Sequence, residues 1–87
     1  LLMRAADIVE RGWCQNRLRD DYGRVCALGA MIDAGSHYLD YITTGAFNAI
    51  GCAIGNTPDW NNAPDQTAAN VAFTMRRVAM QLARVKA

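Results

Sequence analysis

Cys14, within Trp13-Cys14-Gln15, is the side chain in this sequence best suited to covalent chemistry. A thiol beside a helix end, with Arg11 and Arg17 close along the chain, could have a lowered pKa and act as a nucleophile or redox sensor. His37 is the one imidazole in 87 residues, and so the one candidate histidine base for such a reaction. No spacing brings the two together, and a free cysteine beside a tryptophan more commonly packs as a small hydrophobe. Cys14, Cys26, His37 and Cys52 are enough ligands in number for zinc. Their separations of 12, 11 and 15 lack the close cysteine pairs of zinc ribbons and fingers, so no metal and no cofactor are expected. A Cys14–Cys26 disulfide is conceivable across the intervening loop, but an intracellular setting would keep it reduced. No glycine-rich phosphate loop, paired-histidine metal motif or nucleophile elbow is present. The enzyme reading rests on Cys14 and His37 alone.

Two other features point to binding. Trp60-Asn61-Asn62-Ala63-Pro64 could be an exposed recognition loop, since tryptophan is favoured at binding hot spots. Its structural alternative has Trp60 closing the core over Gly29 and Ala30 while Asn61 or Asn62 hydrogen-bonds backbone in the turn. The C-terminal segment is the second feature. From Gln66 onward Arg76, Arg77, Arg84 and Lys86 meet no acidic residue, a charge of +4, whereas the preceding residues carry five basic and eight acidic side chains, a charge of −3. Those cations could sit on phosphates, on an acidic partner, or on the acidic surface of the domain itself, and a helix C-terminus favours them in any case. Phe73 and Met80 lie off the main apolar stripe of the same helix. A small domain has difficulty burying a second apolar face, which suggests homodimerisation or docking on another protein. The expected partner-binding residues are Trp60, Asn61, Phe73, Arg76, Arg77, Met80 and Arg84.

Positioning these residues falls to a short list of elements. Leu2, Ala5, Ala6, Ile8 and Val9 recur at helical spacing up to Gly12, a C-cap candidate. Trp13 to Arg24 reads as a polar loop, in which Asp21-Tyr22-Gly23-Arg24 could turn a short hairpin. Val25 to Ala34 is apolar on nearly every face and ends at Gly35, the pattern of a buried helix, with Gly29 and Ala30 open to a close neighbour. A third helix is expected over Tyr38 to Ile54, weakened by Gly45 and Gly51. Gly55 to Gln66 is dense in turn formers and predicts a loop around Trp60. Asp65 or Thr67 then caps a last helix whose Val71, Met75, Val78, Leu82 and Val85 alternate at spacings of four and three.

At 87 residues, 52% hydrophobic and 20% charged, the chain reads as a single all-α domain over residues 1–87, of about four helices with the last longest. A net charge of +1 excludes a binder of long nucleic acid or membrane driven by overall charge. Tyr41 to Pro58 carries no charge but is too polar and glycine-rich for a membrane span. The opening residues lack an export signal, and the absence of an initiator methionine suggests a start inside a longer gene product. Three sparse cysteines fit reduced, cytoplasmic conditions.

Three blocks carry a resemblance: Gly12-Trp13-Cys14-Gln15, Val25-Cys26-Ala27-Leu28-Gly29-Ala30, and Trp60-Asn61-Asn62-Ala63-Pro64 followed by Thr67-Ala68-Ala69. Together they resemble a family of small uncharacterised proteins, a domain of unknown function found in bacteria and in bacteriophages of actinobacteria. That family usually has Asp at the position of Asn62 and an acidic residue at that of Asn70. The resemblance implies a small intracellular helical protein of bacterial or phage origin and supplies no reaction. The expected function is non-enzymatic: binding of a protein, including a host protein, and self-association. A nucleic-acid module using the basic helix and a thiol enzyme or redox switch at Cys14 are the alternatives.

Overall fold

The computed structural model describes residues 1–35 and 49–86, with side chains to residue 84. The described residues are mostly helical and contain no strand. The helices are α1 (Leu2–Arg11), α2 (Ala27–Ala34), α3 (described over 49–54), α4 (Thr57–Asn61) and α5 (Ala68–Lys86). The 19-residue α5 is the longest.

α1 forms because its apolar residues fall on one stripe. Leu2, Ala5, Ala6 and Val9 are buried, while Met3, Arg4, Asp7 and Glu10 are exposed. α5 packs along this stripe through Val71, Ala72, Met75 and Val78, all at most 3% exposed. Alanines at positions 5, 6 and 72 let the two helices approach closely, and burying a side chain as large as Met75 contributes about 2–3 kcal/mol. The expected seam therefore holds in its first three members. Leu82 is 36% exposed, and the side chain of Val85 is outside the described residues. Thr67 caps the start of α5, its Oγ1 accepting the backbone N–H of Asn70 at 3.1 Å.

α2 is buried on most sides, through Ala27, Gly29, Ala30, Met31 and Ala34, but starts two residues later than its apolar run. Val25 is extended instead. Its N–H donates to Gly12 O and its carbonyl accepts from Cys14 N, at 3.1 and 3.0 Å, which ties the end of α1 to the start of α2. The loop between them is closed by a turn, with Asp20 N donating to Arg24 O at 2.9 Å and Gly23 at φ 80°. Glycine is suited to that left-handed position. Gly29 admits a close neighbour, and it is the loop rather than Trp60. A Cβ there would lie 2.6 Å from the carbonyl oxygen of Leu18. Trp60 is partly buried and packs against the core.

The expected loop Gly55–Gln66 contains a helix. Asn56 accepts the N–H of Asp59 through Oδ1 at 3.0 Å, and Pro58 lies in the first turn, where the absence of an N–H costs nothing. The same residue types that signal a turn can therefore start a helix, and here they build α4. Of the expected third helix, residues 49–54 are helical with Ile50 buried; Tyr38 to Asn48 and His37 lie outside the described residues.

Candidate functional site

The two readings of the sequence, a thiol site and a binding surface, occupy separate parts of the structure. Around Cys14 the side chains form a hydrogen-bonded junction centred on Asn61, which is 1% exposed. Asn61 Oδ1 accepts both the Trp13 indole N–H and the Ala27 backbone N–H, each at 2.8 Å. Asn61 Nδ2 donates to Cys14 O at 3.2 Å and to Asn62 Oδ1 at 3.0 Å. Asn62 Oδ1 also accepts from Asn16 N at 2.7 Å. Gln15 Nε2 donates to the carbonyls of Asn61 and Ala63 at 3.1 and 2.8 Å, and so covers the C-terminal end of α4.

The junction satisfies backbone groups that helices leave unpaired at their ends. The first N–H of α2 goes to Asn61, and the third, from Gly29, goes to the Cys26 thiol at 3.4 Å. Among the described residues no buried side-chain polar atom lacks a partner. The role of Asn61 is thus internal. A residue with both ends of its amide bonded inside the domain is not a surface for a partner, so the structure moves Asn61 out of the binding set.

Cys14 is partly buried, and its Sγ donates to the carbonyls of Arg17 and Arg24 at 3.5 and 3.4 Å. Burial raises its pKa, and the negative charge of Asp20 adds to the shift. This reverses the expectation from neighbouring arginines, because burial outweighs the positive charge of Arg24 and favours the neutral thiol. Cys14, Cys26 and Cys52 are all free thiols, respectively partly buried, buried and exposed. Among the described residues no group of three or more His, Cys, Asp or Glu is placed to hold a metal ion.

Two clefts open among the described residues, the first beside the junction. One, of about 190 Å³, is lined by Arg17, Leu18, Cys26, Leu28, Thr57 and Pro58 together with the asparagines, and the described residues bring neither carboxylate nor imidazole to it. The other, of about 210 Å³, includes Asp33, whose two carboxylate oxygens are held by Arg19 at 2.7 and 2.9 Å. Among the described residues, neither gathers an acid, a base and a nucleophile in the geometry that catalysis requires.

The sequence profile of a family of unknown function, DUF6197, matches residues 1–81. The chain belongs to that family. No curated protein and no solved structure matches the chain. In this member of DUF6197, the three sequence blocks that carried the resemblance meet at one place. Trp13 and Gln15 from the first, Ala27 from the second and Asn61 with Asn62 from the third are joined by the bonds just described. Asn62 uses only its carbonyl oxygen there, as an acceptor, a role that Asp performs equally well.

Of the remaining binding candidates, Trp60 lies on α4, partly buried against the core, and the others lie on α5. Arg76 turns back onto α1, where it pairs with Asp7 at 2.8 Å and with Glu10. Those bonds hold the Glu10 carboxyl below its ordinary range, with the hydrogen bond to Arg76 the largest cause, and push the Arg76 pKa further up. Phe73, Arg77, Met80 and Arg84 face outward. Phe73 is 62% exposed and Met80 56%. At about 100° per residue the four fall within about 60° of arc, one continuous stripe opposite the α1 contact. No helix among the described residues is long and apolar enough to cross a membrane.

Proposed function

We propose that this protein is a small non-enzymatic interaction module, of bacterial or bacteriophage origin and working in the cytoplasm, that binds another protein through the outward stripe of α5. The observation carrying this reading is the exposure of Phe73 and Met80, interleaved with Arg77 and Arg84, on a helix whose opposite side is fixed to the core. Aromatic, methionine and arginine side chains are enriched at protein interfaces, and two large apolar groups left in water are stabilised by covering them. Support also comes from the other half of the molecule, where the polar groups around Cys14 are occupied in holding the fold.

The nucleic-acid alternative loses support from Arg76. That guanidinium is neutralised by Asp7 and Glu10, which leaves the basic helix with fewer cations for phosphate. The test is affinity capture from host lysate after nuclease treatment, with wild type beside a Phe73→Asp/Met80→Asp variant. A stoichiometric protein held by the first and lost by the second is the expected result. A second copy of the chain in that role would make the module a homodimer, which light scattering reads directly. Recovery of nucleic acid alone, or equal capture by both proteins, contradicts the proposal.

A further inference from the structure

Arg17, Arg19, Arg24 and Arg76 each have a carboxylate partner within the domain, at Asp21, Asp33, Asp20 and Asp7 with Glu10 respectively. Arg77 and Arg84 make no ion pair among the described residues, although both are exposed. They are separated by seven residues, as are Phe73 and Met80, so charge and apolar surface alternate along about 16 Å of helix from Phe73 to Arg84. No acid follows Asp65 in the sequence to neutralise them locally. Resting on the interaction reading above, we infer that the partner presents an acidic amphipathic helix to this stripe. Two apolar residues seven apart would cover Phe73 and Met80, and Asp or Glu three or four residues from each would meet Arg77 and Arg84.

The alternation selects between partner chemistries. Phosphates would satisfy the two guanidinium groups but leave Phe73 and Met80 against a charged backbone, with no apolar surface removed from water. A wholly apolar surface would cover the phenyl and thioether groups but desolvate two unpaired cations, which costs more than it returns. A second α5 carries no carboxylate to meet the arginines. An acidic amphipathic helix meets both requirements, since carboxylate accepts from arginine in a paired geometry.

The experiment is selection from a displayed library of helical peptides containing equal shares of acidic and basic sequences. Three baits are used: wild type, Phe73→Asp/Met80→Asp and Arg77→Glu/Arg84→Glu. All the substituted positions are exposed, and matched melting curves establish that the variants fold. Wild type should enrich peptides with apolar residues seven apart and an acid three or four residues from each. The charge-reversed bait should enrich basic peptides instead, and the Asp variant neither. For a selected peptide, Arg77→Glu alone should weaken Kd about tenfold, the scale of one lost charge-assisted hydrogen bond. Stripe-dependent peptides that are neutral or basic would overturn the acidic assignment while leaving the α5 face as the binding surface. No stripe-dependent peptide at all, or retention only of a random DNA duplex in an Arg77- and Arg84-dependent manner, would overturn both.

Discussion

The Trp13 indole donates a hydrogen bond to the Asn61 side chain at 2.8 Å, across 48 residues of chain. The same oxygen accepts from Ala27, so one buried amide joins the end of α1, the start of α2 and the end of α4. Asn61→Leu retains most of the volume but leaves two donors without an acceptor. At about 1–3 kcal/mol for each unsatisfied group, the expected loss is about 2–6 kcal/mol in urea unfolding, a large share of the stability of so small a domain. Asn62→Asp retains the acceptor and should stay within about 0.5 kcal/mol of wild type.

Gly29 lies against the loop before α2. Because a Cβ would come within 2.6 Å of the Leu18 carbonyl, Gly29→Ala must displace backbone that also receives the Cys26 N–H. The expected cost is about 1–3 kcal/mol, despite the higher helix propensity of alanine. Equal or greater stability in thermal melting would show that the loop yields freely.

The thiols should differ in reactivity. Cys52 is exposed and should be alkylated first in the folded protein. Cys14 should be slower, with a pH midpoint above the ordinary thiol value of 9.0, because burial favours its protonated form. Mass spectrometry of partially alkylated protein measures both. Rapid labelling of Cys14 near neutral pH would revive the thiol-enzyme reading.

Arg76 links stability to pH through Glu10. The carboxyl is held below its ordinary value of 4.5 in the folded protein, so the unfolded chain binds more protons as pH falls past that value. The stabilisation is therefore fully present above about pH 4.5 and is lost as pH falls through the depressed folded value. Arg76→Gln should lower Tm near neutral pH, and the difference should shrink towards zero in strong acid. A difference unchanged by acid would mean that Arg76 acts by packing.

The sequence made the α1 and α5 helices legible because Leu2, Ala5, Ala6 and Val9, and then Val71, Met75 and Val78, repeat at helical spacing. It also marked Phe73 and Met80 as surplus apolar residues. Local pattern could not show that Asn61 turns inward, since its partners Trp13 and Ala27 are remote along the chain. It could not show that Arg76 pairs across to α1 while its neighbour Arg77 does not. The helix over Thr57–Asn61 was hidden because Asn56 and Pro58 serve turns and helix starts equally. Of the two roles the sequence left open for Cys14, the partial burial that raises its pKa favours packing, and proximity of arginines in sequence says nothing of burial.

The molecule divides into an internal junction that holds the fold and an outward α5 stripe for which we propose a binding role. The most direct test measures melting and partner capture together for Phe73→Asp/Met80→Asp and for wild type. Unchanged melting with loss of a nuclease-resistant protein partner is the expected result. Capture that persists in the variant at wild-type stoichiometry would contradict it.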